Sequence, residues 1–265
     1  MFDDSLLLHL LLSFLLGSLW VTLVTVIAER RGSTVGGILV GFPSTAAFSF
    51  LFIGINQSLS DAVEATTLFP IAFSVTSAFL LFFTIFARKR FSVGLTLSLL
   101  IWFLASSLIV VSGLKDFAFS LVSGLLITAA VYFIINRLHL ENLTGKKKPY
   151  NLLEILGRGI GAGSLVLLAV LLSQIGGPIL GGIATAFPAV FTSTLIILNK
   201  NEGLEFSRAI TKPLVMSGIF TIIPFSVAIR YFYPIMGIWL GTLSAYAIIS
   251  PLAILSYLLV HPRRK

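Results

Sequence analysis

The feature that most constrains this chain is the recurrence of apolar runs about 20 residues long, the length a helix needs to cross the hydrocarbon of a bilayer. Bounded by charges or turn residues, such runs lie at 5–28, 35–55, 62–87, 91–113, 117–136, 152–173, 178–199, 206–228 and 232–260. Of the 265 residues, 57% are hydrophobic and 11% charged. The longest polar stretch, from Asn136 to Asn151, is too short to bury a core of its own. The pattern predicts an all-α polytopic membrane protein with about nine transmembrane helices. Pro251 interrupts the last run, but its two halves are too short for separate spans, and a tilted or kinked helix absorbs the excess.

Charge placement orients the prediction. With nine spans and the N-terminus outside, Arg30, Arg31, Arg88, Lys89, Arg90, Arg137, Lys146, Lys147, Lys148, Lys200, Arg263, Arg264 and Lys265 fall on the cytoplasmic side. Lys115 and Arg230 fall outside with Asp3, Asp4, Asp61, Glu64 and Asp116, and Tyr231 and Tyr233 read as anchors at the outer interface. The expected location is the cell (plasma or inner) membrane, N-terminus outside and C-terminus cytoplasmic. The first run follows acidic residues and precedes no small-residue cleavage site, so it reads as a retained helix.

The chain has no cysteine, and His9, His139 and His261 lack metal-ligand spacing, which argues against thiol and metal chemistry. Neither a nucleophile beside a base, nor a phosphate-binding loop, nor a carboxylate pair is present. The sequence therefore predicts no enzyme, no cofactor and no metal. The net charge of +8 sits at helix ends without a basic, aromatic-lined face, so no nucleic-acid partner is expected. The expected partners are the bilayer and a small polar or ionic solute, and a homo-oligomer is compatible with the pattern.

Two stretches share a frame. "GGILVGFPST" begins at Gly36 and "GGIATAFPAV" at Gly181, 145 residues later, with the double glycine and Phe-Pro in register. The same offset matches Asn56 and Leu59 with Asn201 and Leu204; small shifts pair Gly17-Ser18-Leu19 with Gly163-Ser164-Leu165, and Gly94 with Gly237. Each unit then holds four helices with a fifth between them. An odd linking helix forces the units into opposite orientations, giving a 4+1+4 inverted repeat. The expected organisation is residues 1–113 as the first repeat, 114–150 as the linking helix and basic loop, and 151–265 as the second, inverted repeat.

The GG-x4-FP frame, followed by an apolar stretch, a short polar turn and another helix, resembles an uncharacterised family of small bacterial membrane proteins made of one such four-helix unit. That resemblance implies duplication; the family has no assigned activity to carry over. The architecture is also similar to that of fused fluoride channels, whose sequence motifs are not found here.

Pro43 and Pro188 remove backbone donors and free carbonyls that lipid cannot satisfy. In inverted-repeat transporters such breaks line the pathway. The expected substrate pathway is Phe42, Pro43, Ser44, Thr45, Phe187, Pro188, Thr192, Ser193 and Thr194, against the alternative of structural kinks with hydroxyl back-bonding. Gly36, Gly37, Gly181 and Gly182 read as helix packing or anion approach, and Gly157, Gly159, Gly161 and Gly163 as a packing face. Glu64, Arg158, Arg208 and Lys212 are candidate vestibule charges, with Glu154 four residues before Arg158 as a salt-bridge partner. The function expected is a secondary carrier or facilitator for a small polar or ionic solute, alternating access about two interrupted helices. The alternatives are an ion channel of dual-repeat architecture and a lipid-handling or partner-stabilising membrane protein.

Overall fold

A computed structural model describes residues 4–31, 42–138, 140 and 151–260. Every regular element among them is helical. In chain order these are α1 (Asp4–Arg31), α2 (Ser44–Asn56), α3 (Leu59–Ala65), α4 (Phe69–Phe86), α5 (Phe91–Val111), α6 (Phe117–Arg137), α7 (Leu152–Gly176) and α8 (Pro178–Thr185). They continue with α9 (Ala189–Glu202), α10 (Leu204–Ala209), α11 (Thr211–Ser217), a π-helical turn (Gly218–Ile222) and α12 (Ile223–Val260). Six apolar stretches among the described residues are long enough to cross a membrane: Phe69–Phe86, Phe91–Val111, Phe117–Arg137, Leu152–Gly176, Pro178–Glu202 and Leu204–Ser256. The chain is thus a polytopic helical membrane protein, its lipid-soluble exterior carrying side chains such as Leu104, Leu108, Phe133 and Trp239, each at least half exposed.

Local chemistry places the helix ends. The Asp116 carboxylate accepts from the Phe119 amide (2.6 Å) at the start of α6, and Ser58 Oγ accepts from the Asp61 amide (3.1 Å) at the start of α3. Asn151 and Glu154 form a reciprocal capping box on α7. Gly177 (φ 89°) and Gly203 (φ 94°) separate α7 from α8 and α9 from α10 in a backbone region closed to most L-residues. Helix starts recur at the offset seen in the sequence: Ser44 and Leu59 open α2 and α3, and Ala189 and Leu204 open α9 and α10.

The long stretch Leu204–Ser256 is not one straight rod. Gly237 (φ 73°, ψ 179°) breaks α12, and the chain folds back: Tyr233 Oη meets Thr242 Oγ1 at 2.8 Å and the Phe225 and Tyr246 rings lie 5.1 Å apart. In a continuous helix residues 225 and 246 would be separated by about 31 Å. The expected boundary near Arg230 therefore moves to Gly237, because only a glycine adopts that backbone without strain, whereas Arg230 continues the helix. Tyr233 is fully buried in this hairpin and is no interface anchor, whereas Tyr231 is exposed. Helix continues through Pro251.

Glycine also sets the closest helix crossing. A Cβ on Gly17 would lie 3.5 Å from the Gly163 Cα, while Gly159 and Gly163 face Thr22, Ser18 and Phe14, so α1 and α7 run antiparallel through the two glycines paired in the sequence alignment. Gly157 and Gly161 meet nothing within 4 Å. The packing face of α7 is thus half of the one expected, since a spacing of four keeps to one side of a helix and the intervening glycines point the other way. At the centre, α4 runs antiparallel to the segment from α10 into α12. Thr84 Oγ1 meets Thr211 Oγ1 (2.8 Å), Phe73 lies against Gly218, and Arg230 reaches Thr66 and Thr67. A chain of rings, Phe50–Phe69–Phe73–Phe191, joins α2, α4 and α9.

Candidate functional site

Both Phe-Pro breaks have the same backbone form. Pro43 (φ −78°, ψ 56°) and Pro188 (φ −78°, ψ 41°) each stand at the centre of an inverse γ-turn, closed by Ser44 N–H to the Phe42 carbonyl (2.8 Å) and Ala189 N–H to the Phe187 carbonyl (2.9 Å). Each proline carbonyl then accepts the first helical bond, from Ala47 (2.8 Å) and Thr192 (2.7 Å). Proline at the cap position leaves both α2 and α9 without a side-chain cap.

The two breaks line one cavity of about 50 Å³, between Phe42, Pro43, Ser44 and Thr45 on one side and Thr185, Ala186, Phe187, Pro188, Val190 and Phe191 on the other. On the usual scale of about 10–15 Å³ per water, it admits a solute of a few heavy atoms. Phe69, Phe73, Thr76 and Ile222 complete the wall, which contains no charged side chain. Five phenylalanines, Phe42, Phe69, Phe73, Phe187 and Phe191, share that wall with the hydroxyl residues Ser44, Thr45, Thr76 and Thr185.

Sequence reasoning missed the residues that hold the second break. Thr76 Oγ1, on α4, donates to the Ala186 carbonyl and accepts from Trp102 Nε1 (2.9 Å), on α5. Trp102 also packs edge-on against Phe187 (5.0 Å, 86°). A carbonyl at this break is thereby paired from another helix, as a break inside a bilayer requires. The first break meets an aromatic of its own, Tyr246, stacked on Phe42 (5.7 Å, 18°). One signal was available: Thr76 and Thr221 are also 145 residues apart, and both are buried.

Of the residues expected on the pathway, Phe42, Pro43, Ser44, Thr45, Phe187 and Pro188 come together, whereas Thr192, Ser193 and Thr194 do not line the cavity. Ser193 and Thr194 hydroxyls instead donate to the Val190 carbonyl (2.9 and 2.7 Å), the back-bonding alternative. Gly181 and Gly182 are packing glycines: a Cβ there would lie 2.5 Å from Ser173 Cβ and 1.8 Å from the Ala65 carbonyl oxygen. Gly36 and Gly37 lie outside the described residues.

The charges are dispersed. Glu64 is exposed at the end of α3, and Arg158 is buried within α7. Glu154 takes Lys200 (2.9 Å), Asn201 (3.3 Å) and its own cap amide in place of the expected Arg158, because α9 brings those donors within reach. Arg208 is bound by the Glu205 carboxylate (2.7 and 2.9 Å) and the Thr84 carbonyl (3.0 Å), and the Lys212 ammonium lies 5.9 Å from the centre of the Tyr132 ring. Arg230 caps the end of α3 through the Val63 carbonyl (3.2 Å) and lies over the Phe117 ring (4.3 Å).

No curated protein and no solved structure matches this chain. Residues 10–113 match the model of a family described as "Protein of unknown function (DUF3147)", in agreement with the resemblance to an uncharacterised family.

Proposed function

We propose that the protein is a membrane carrier or facilitator for a small polar or ionic solute, and that the cavity between the Phe-Pro breaks is its solute site. The observation that carries this reading is that two breaks of identical turn geometry, 145 residues apart in sequence, line one uncharged cavity inside an apolar helical protein. The accompanying architecture is nine spans in a 4+1+4 inverted repeat, 1–113 and 151–265 about a linking helix, in the plasma (inner) membrane with the N-terminus outside. Support for it comes from the recurring helix starts, from Gly17 meeting its equivalent Gly163, from the hairpin at Gly237, and from the antiparallel run of α4 against the segment from α10 into α12. Alternating access then amounts to one repeat rocking against the other about the shared site.

Purified protein in liposomes tests the reading. Saturable exchange identifies a carrier, ohmic current a channel, and lipid scrambling without solute movement the lipid-handling alternative. Pro43→Ala and Pro188→Ala should each impair transport in folded protein, although they lie in different halves. Full transport by a stable double variant would remove the site.

A further inference from the structure

We infer that Arg208 and Arg230 are two latches, one at each end of the central helix pair, that open in alternation on either side of the cavity; this rests on the carrier reading above and names the device that controls access to its site. Both arginines belong to the stretch Leu204–Ser256, and each holds the first half of the chain by the C-terminal end of a helix. Arg208 Nε donates to the Thr84 carbonyl in the last turn of α4 (3.0 Å), while its Nη1 takes the Glu205 carboxylate. Arg230 Nη1 reaches the Val63 carbonyl in the last turn of α3 (3.2 Å) and the hydroxyls of Thr66 and Thr67 (3.3 and 3.2 Å). Arg208, Thr66, Thr67 and Thr84 are buried, so neither contact is a solvated surface pair of negligible weight.

The two ends are built alike. Thr66 and Thr211 are 145 residues apart, as are Val63 and Arg208, and each threonine donates its hydroxyl to the carbonyl three residues back, Val63 (2.6 Å) and Arg208 (2.7 Å). Thr66 Oγ1 then receives Arg230, and Thr211 Oγ1 meets Thr84 Oγ1 (2.8 Å), so each threonine contacts the other half of the chain. The linking helix α6 places a ring at each end as well: Phe117 beneath Arg230 (4.3 Å) and Tyr132 beneath Lys212, the neighbour of Thr211 (5.9 Å).

The pivot lies between the ends. Phe73 and Gly218, again 145 residues apart, meet there, and Gly218 opens the π-helical turn whose last residue, Ile222, lines the cavity together with Phe73 and Thr76. A π turn is an irregularity in the helical bonding that recurs at functional sites, and a glycine against a ring leaves a smooth contact on which one helix can tilt. When α4 rocks on Gly218, one end lifts from its arginine while the other is pressed home. On the arm of about 16 Å from Phe73 to Thr84, a tilt of about 15° moves the end by about 4 Å, beyond the reach of a hydrogen bond. Both latches are engaged in this structure, which is the closed form between two openings.

The chain has no cysteine, so an introduced thiol reports access directly. Ser44→Cys puts one in the cavity wall, and a trimethylammonium methanethiosulfonate, which does not cross a bilayer, is applied to right-side-out and inside-out vesicles. In the otherwise unchanged chain labelling should be slow from both faces. It should quicken about tenfold from one face in Arg230→Gln and from the opposite face in Arg208→Gln, the population shift expected when one end loses a hydrogen bond from a charged group. Where an arginine variant fails to fold, Thr84→Cys/Thr211→Cys joins residues whose hydroxyls already meet. Its oxidation should stop labelling of the Ser44→Cys thiol from the Arg208 face and leave the other face reactive, and dithiothreitol should reverse the effect. A lower melting temperature with labelling unchanged from both faces, or a rise from the same face in both variants, would overturn the latches and make the two arginines helix caps; saturable exchange in liposomes by that protein would leave the carrier reading standing. Face-specific labelling in protein that exchanges no solute would support the latches and overturn the carrier.

Discussion

Thr76 serves two partners with one hydroxyl, and its removal orphans both. Thr76→Val keeps the shape but leaves the Ala186 carbonyl and the Trp102 indole N–H unpaired in a buried place, at about 1–3 kcal/mol for each group. Thermal unfolding in detergent should show a clear loss for Thr76→Val and near-complete recovery for Thr76→Ser; equal stability of the valine variant would mean that the break holds itself. Glycine offers a sharper contrast. Gly182→Ala must displace the Ala65 backbone, whose oxygen would lie 1.8 Å from the new Cβ, whereas Gly161→Ala meets nothing and gains helix propensity of about 0.5–1 kcal/mol. Melting temperatures should therefore move in opposite directions. At this scale the sequence revealed the glycines and prolines as special but not the roles of Thr76 and Trp102, since a threonine or tryptophan in an apolar run looks ordinary until its neighbours are known.

Elements divide where backbone chemistry requires it. The hairpin within α12 depends on Gly237, whose φ of 73° a Cβ disfavours. Gly237→Ala should destabilise by about 1–3 kcal/mol without touching any packed atom, because an added Cβ there meets nothing within 4 Å and the whole cost is backbone strain. Gly237→Asn should lose as much in the same melting assay, because a ψ of 179° lies outside the left-handed helical region that Asn tolerates. The expected boundary at Arg230 came from reading a charge as a helix end. Arg230 instead stays helical and spends its guanidinium on the Val63 carbonyl and on Thr66 and Thr67, at the junction between α3 and α4. A charge at a span's edge identifies the neighbourhood of an interface, whereas a backbone reversal needs a residue that can make it.

For the whole molecule, charge placement sets the expected orientation. Reporter fusions after Glu29, after Asn56 and at Lys265 should read inside, outside and inside, from the weight of Lys and Arg on the alternate loops. An outside signal at Lys265 would contradict an odd number of spans. The antiparallel meeting of α1 with α7 at Gly17 and Gly163 agrees with the opposite orientations proposed above for the two units.

By itself the sequence determined the solvent and the class. Long apolar runs allow only helices in a bilayer, because each backbone group must find its partner within its own segment. It also determined where α2 and α9 begin, because proline cannot donate wherever it is placed. Tertiary structure alone decided that Pro43 and Pro188 line the same cavity, that Thr76 pairs the Ala186 carbonyl across more than a hundred residues of chain, and that Thr192, Ser193 and Thr194 stay outside. It also placed Glu154 with Lys200. The physical reason is common to all four: each depends on which helix faces which, and helix-to-helix register is set by close packing of small residues such as Gly17, Gly163 and Gly182, whose partners no local pattern names.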